Sequence, residues 1–286
     1  MVDCFFMDAH DYIFDKIFIL KSLGESDTFA DSLYYDIIEP CCQKCGLATE
    51  PPIELYTRED WDKAIEQILQ DNCCHPLIHF EMHGNEENGL YLRLGDYVPW
   101  KNIISDLTRI NVKSELNLII TMAVCYSTKL AFNMSMVKSP APYLFSISTS
   151  QKVRGELTYK MFSEFYKNLI ESRSIYDALK SVEQTHPDLP QFFDILSIPF
   201  LFENTFKEYA LQHQDDGMLE KEFYHSFPEM QEREVTRDEY NWYKKAFVKN
   251  FRSQVNACYR EYRDIFFMFD KFPNNSKRFK LPDDII

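Results

Sequence analysis

The chain is short of glycine, with 7 among 286 residues. No G-x-G-x-x-G and no G-x-x-x-x-G-K-[ST] sequence occurs, so the glycine-rich loops that cradle phosphates in nucleotide-binding α/β domains are missing. Long hydrophobic runs are also missing. The most apolar stretches, Leu116 to Val124 and Phe192 to Phe202, fall well short of the roughly 20 residues that span a bilayer. Positive charge is in deficit: 31 Lys and Arg stand against 45 Asp and Glu, for a net charge of -14. Such a balance argues against broad binding to nucleic acid or to an anionic membrane, and neither partner is expected. The opening MVDCFFMDAHDYIFDK has neither a basic n-region nor an apolar core, so no signal peptide is expected. The expectation is then a cytoplasmic protein whose 8 cysteines are mostly free thiols.

What is present is material for a large core. Hydrophobic residues make up 45% and aromatics 15%, with 24 Phe and 17 Tyr. Short strands are predicted at Lys16 to Lys21, Ile53 to Tyr56, Leu77 to Met82, Gly89 to Leu94 (a hairpin leg), Leu116 to Val124 and Tyr143 to Ser148. Helical spacing runs through Thr28 to Cys45, Trp61 to Leu69, Trp100 to Leu107, Leu157 to Ile170 and Ile175 to Gln184. Thr57 with Asp60 reads as a capping box. The near-continuous apolar run Leu116 to Val124 is that of a central strand buried on both faces. Strands alternating with helices imply an α/β fold with a mainly parallel sheet flanked by helices. Beyond a boundary near residue 210, a polar acidic stretch from Gln212 to Glu234 precedes a long helix opened by Thr236 and Glu239. Residues 1–210 are therefore one domain and 211–286 a helical accessory region. On that helix Tyr243, Phe247, Phe251, Val255, Cys258, Tyr262, Ile265 and Phe269 form one stripe, while Lys244, Lys245, Lys249, Arg252, Arg260 and Arg263 lie opposite. The stripe reads as core packing. The basic face is either solvated or a dock for an acidic partner.

Two residues stand out for chemistry. His83-Gly84 follows one predicted strand, and Cys125 follows the most apolar one. Sites in open parallel sheets form at the carboxyl ends of strands, so two neighbouring strands ending there would bring His83 and Cys125 together. A thiol attacks only as its thiolate, and an imidazole beside it can take the proton and return it to a leaving amine. Gly84, without a Cβ, lets its backbone approach a substrate carbonyl, so the N–H groups of Gly84 and Cys125 are candidates for an oxyanion hole. Taken singly, a cysteine that ends a buried strand is more often a core residue, and a His-Gly is commonly a turn.

The ordered combination resembles the CHAT family, the caspase-like cysteine peptidases of clan CD. The resemblance covers about Ile78 to Val182. It rests on HFEMHGNEENGLYLRLGDYVPWKNIISDL, LNLIITMAVCYS, APYLFSISTSQKV and MFSEFYKNLIESRSIYDALKSV, where Phe162, Phe165, Tyr166, Leu169, Ala178 and Leu179 match the helical pattern. It implies a caspase-like fold and a Cys–His dyad of Cys125 and His83, with no metal or organic cofactor. It further implies a protein or peptide substrate, such as a pore-forming effector in a bacterial antiviral defence setting, and control by an activating protein partner. Val124 stands where the family usually has Ala. Ala123 stands where relatives that cut after basic residues carry Asp. Ser148, Lys152 and Arg154, at and after the fifth main strand, are the candidate substrate-binding residues. An acidic P1 on Lys152 and Arg154, an uncharged P1, and simple solvated charges all remain open.

Other constellations compete. His79, Glu81 and His83 share a strand face by alternation, so Glu81 either orients His83 as a third member or is a structural carboxylate. Cys41, Cys42, Cys45, Cys73, Cys74 and His75 contain enough ligands for zinc, yet only Cys42 and Cys45 have true C-x-x-C spacing; free thiols are the alternative. A caspase-like adaptor without catalysis is the alternative to the peptidase.

Overall fold

The computed structural model describes residues 12–24, 27, 29–136, 138–212, 216–228 and 236–285. The opening eleven residues, the helix start expected at Thr28, and positions 213–215 and 229–234 of the acidic stretch lie outside the described residues. The chain divides into two compact units, one ending at Phe200 and the other running from Leu201.

The first unit is α/β. Strand β1 (Lys16–Ser22) leads through α1 (Phe29–Ser32), a π-helical turn (Leu33–Ile38) and α2 (Glu39–Cys45) to β2 (Ala48–Thr49) and β3 (Ile53–Glu54). Then come α3 (Arg58–Gln70), β4 (Pro76–Asn85), β5 (Gly89–Tyr91), β6 (Tyr97–Val98), α4 (Trp100–Lys113) and β7 (Ile119–Ala123). Next are α5 (Lys129–Asn133), β8 (Phe145–Ser148), α6 (Gly155–Ser172), α7 (Ile175–Thr185), β9 (Asp194–Ser197) and α8 (Ile198–Gln212), the last crossing into the second unit. The main sheet runs in the order β2-β1-β4-β7-β8-β9. It is parallel from β2 to β8, and only β9 is antiparallel, with Ser148 opposite Asp194. The mixed sheet thus departs from the strand inventory read from sequence, which lacked β9. β4 outlasts its predicted end because it bends into the β4–β5–β6 hairpin, pairing His83 with Tyr91 and Gly84 with Leu90.

The helices lie where the apolar positions demand. The Thr57–Asp60 capping box opens α3. Trp61 then stacks on Phe80 at a centroid distance of 6.0 Å and donates its indole N–H to Asp106 of α4 at 2.9 Å. That is one covering layer. Alternation puts His79 and Glu81 on the other face of β4, against α6. There the His79 ring meets Phe162 and Tyr166 edge-on, 4.8 and 5.5 Å away.

A polar chain runs through this second layer. His79 is fully buried; its Nδ1 pairs with the Thr121 hydroxyl at 2.8 Å and its Nε2 with the Glu81 carboxylate at 3.0 Å. Thr121 also pairs with the Tyr166 hydroxyl at 2.6 Å, and burial pushes the Tyr166 phenol well above its usual range. Glu81 is thus the partner of His79 and not of His83. The buried ring satisfies a carboxylate that is itself 5% exposed, whereas His83 lies out in solvent.

In the second unit the Thr236–Glu239 capping box opens α10 (Arg237–Phe266). Phe202 and Phe206 of α8 pack on Tyr259, and α9 (Asp216–Ser226) places Phe223 against Tyr240 and Phe247. The buried stripe turns by about one residue along α10: Val255, Tyr259, Arg263 and Phe266 are buried, whereas Cys258 is exposed. Arg263, expected on the solvated basic face, is covered by the segment following α11 (Asn274–Arg278). There its guanidinium donates to the Pro282 carbonyl at 2.8 Å and pairs with Asp283 at 3.1 Å. Among the described residues no helix is long and apolar enough to cross a membrane.

The buried chain has a measurable signature. His79→Leu strands Glu81 in the core and should cost about 3–5 kcal/mol. Tyr166→Phe leaves Thr121 its bond to His79 and should cost only about 1 kcal/mol. Urea unfolding at neutral pH ranks the two, and equal losses would show that the network does not anchor this layer.

Candidate functional site

The in-register pairing of β4 with β7 builds the site. Leu77 lies opposite Ile119 and Glu81 opposite Ala123; two residues further, His83 lies where β4 passes from the parallel sheet into the hairpin, and Cys125 follows the end of β7. A Cβ built on Gly84 would sit 2.0 Å from the Cys125 carbonyl oxygen and 2.6 Å from Val124 Cγ1. The strand ends therefore touch. The physical requirement for glycine at this position comes from the neighbouring chain itself, and only hydrogen fits.

The turn after β7 is held tightly. Tyr126 adopts φ 61°, a left-handed conformation that costs a side-chain-bearing residue about 1–3 kcal/mol and persists only when its surroundings enforce it. Thr149, fully buried after β8, supplies that enforcement. Its hydroxyl donates to the Val124 carbonyl at 2.7 Å, its N–H donates to Ser127 Oγ at 2.9 Å, and its carbonyl accepts from Thr128 N–H at 3.0 Å. The loop after β8 thereby carries Val153 to the thiol. Cys125 Sγ lies 3.7 Å from the Val153 carbonyl, and the Val153 N–H donates to Sγ at 3.5 Å. Cys125 is partly exposed.

His83 is 62% exposed, and its Nε2 lies 3.9 Å from Asp27 Oδ2, beyond the end of β1. Phe29, two residues on, lies against Gly155 at the start of α6: a Cβ on Gly155 would come within 2.8 Å of the ring. Among the described residues no hydrogen bond joins the thiol to the imidazole.

The candidate substrate-binding residues divide. Lys152 and Arg154 are exposed on the loop that passes Cys125. Ser148 is 2% exposed, with its hydroxyl 3.1 Å from Thr128 Oγ1 and 3.4 Å from the Asp194 carbonyl; Thr128 in turn donates to the Asp194 carboxylate at 2.6 Å. Ser148 thus ties β9 to the cysteine turn. Asp27, Thr149 and Val153 were not among the residues singled out from sequence. They sit in loops without periodicity, where spacing carries no signal for them.

The cysteine-rich segments stand apart from this site. Burial pushes Cys42 and Cys73 up to about 12. Among the described residues no group of three or more His, Cys, Asp or Glu side chains is arranged to hold a metal ion. A scan against protein-family models gives no match, and a search of curated proteins gives none of significance.

Two substitutions test the packing of the turn. Gly84→Ala forces the Cys125 carbonyl aside and should cost more than about 2 kcal/mol. Thr149→Val removes the hydroxyl bond to the Val124 carbonyl, keeps the two backbone bonds and should cost about 1–3 kcal/mol. Thermal melts and the amide exchange of residues 124–128 read both; unchanged exchange in either variant would contradict the tight turn.

Proposed function

We propose that the chain is a caspase-like cysteine endopeptidase with Cys125 as nucleophile and His83 as its proton-transfer partner. One observation carries the reading: at the carboxyl ends of two in-register parallel strands, Gly84 touches the backbone of Cys125, next to His83. The rest is chemistry. His83 takes the thiol proton, and Sγ attacks the scissile carbonyl carbon to give a tetrahedral oxyanion, which the N–H groups of Gly84 and Cys125 stabilise. As the C–N bond breaks, the imidazolium gives its proton to the leaving amine. Water then attacks the thioacyl carbon with His83 as base, releasing the acid and regenerating the thiol. No metal or organic cofactor enters these steps. The P1 side chain would be uncharged or apolar, or else acidic and received by Lys152 and Arg154, which flank the cysteine loop, with Ser148 supporting that loop from beneath. The natural substrate would be a specific protein, such as a pore-forming effector in a bacterial defence pathway inside the cytoplasm, released to cleavage by an activating protein partner.

A second reading, a non-catalytic caspase-like interaction module, is favoured by one specific feature. The thiol is engaged by the Val153 peptide and not by His83. The two readings separate cleanly. Under the first, an electrophilic peptidyl probe labels Cys125 in the wild type, and Cys125→Ala and His83→Ala each lower cleavage of a peptide library by at least ~100-fold. Cleavage that survives Cys125→Ala sinks the peptidase reading, and a thiol that stays unlabelled with every partner tested supports the module.

A further inference from the structure

We propose that Asp27 is the positioning residue of His83, its carboxylate accepting a hydrogen bond from Nε2–H so that Nδ1 is the ring nitrogen that exchanges a proton with Cys125. The proposal rests on the Cys125–His83 reading above.

Several carboxylates at this end of the sheet are committed to other partners. Glu81, on the same strand as His83, is bound to His79 at 3.0 Å. Asp31 and Glu54 both hold the Lys21 ammonium, at 2.7 and 2.6 Å. Burial pulls Lys21 down, yet its hydrogen bonds to Asp31 and Glu54 prevail and hold it above its ordinary value. Those two carboxylates are thus locked to a permanent cation. Asp27, by contrast, has its Oδ2 facing His83 Nε2 at 3.9 Å. Tyr91, opposite His83 on β5, has its ring against Tyr97.

The Asp27 N–H donates to the Gly24 carbonyl at 3.0 Å. Phe29 is seated on Gly155 and packs on Tyr159 at 5.8 Å between centroids. A separation of 3.9 Å is wider than a hydrogen bond. Such contacts in ligand-free sites commonly tighten when substrate arrives, and a side chain that is 41% exposed has room to close it. A neutral imidazole has two tautomers of similar energy, and an acceptor at Nε2 selects one of them.

The test uses the full chain as wild type, Asp27→Asn, Asp27→Glu and His83→Ala. Nitrogen-15 NMR of the His83 ring reads tautomer and titration directly, without any need for peptidase activity. The expected result is an Nε2–H tautomer in the wild type, a titration midpoint that falls in Asp27→Asn, and recovery in Asp27→Glu. Alkylation of Cys125 by iodoacetamide across pH should slow on the order of tenfold or more in Asp27→Asn, with its pH midpoint rising, because a less stabilised imidazolium leaves the Cys125 thiolate less stabilised. A His83 ring whose tautomer and midpoint ignore Asp27→Asn overturns the proposal, whatever the activity. If the ring responds to Asp27 while alkylation of Cys125 ignores His83→Ala, the Cys125–His83 reading fails, and the catalytic role of Asp27 fails with it.

Discussion

Everything at the site follows from one pairing, the parallel register of β4 with β7. Leu77 opposite Ile119 fixes where each strand ends relative to the other, and a slip of one residue would turn every side chain to the wrong face. Apolar side chains on both faces make the register costly to lose: Ile78, Phe80, Ile120 and Met122 on one face and Leu77 and Ile119 on the other are all fully buried, each worth about 1.5–3 kcal/mol over exposure. The His79–Thr121 bond pins the same register from within, because it joins residues that lie directly opposite each other. Gly84 against the Cys125 carbonyl is the far end of that zip, where two backbones come too close for any side chain.

Much of this was legible from residue pattern. The run around Leu116 to Val124 announced a central strand, His-Gly and Cys marked two strand ends, and Thr57 and Thr236 announced helix starts. What was illegible depended on partners distant in sequence. β9 pairs antiparallel because of where the chain returns after α7, and four residues of Asp-Ile-Leu-Ser carry no signal for that. Thr149 reads as an ordinary loop residue, yet it holds Val124, Ser127 and Thr128 in place. Gly84 was legible as a site of close approach, whereas the approaching group, the Cys125 backbone, is set by the pairing of two distant strands.

The second unit shows the limit of periodicity in a different way. Aromatic residues crowd α10 on more than one side, so two stripes a residue apart fit the spacing equally well. The choice was made by what packs there: Phe202 and Phe206 meet Tyr259, and the chain end covers Arg263. A charged residue was therefore buried where the simple amphipathic pattern would have exposed it, with Asp264 and Asp283 supplying compensation.

The outer side of β1 has a consequence for how this protein behaves in a crowd. A long exposed strand would offer an unfinished ladder to any passing chain. Here that side is met by β2 and β3, two residues each, with Pro51 and Pro52 between them. Proline has no N–H to offer, and the break divides the rim into pieces too short to template a new strand. The aromatic-rich interior is thereby shielded from strand addition at this rim, the route by which β-rich proteins recruit one another into fibrils.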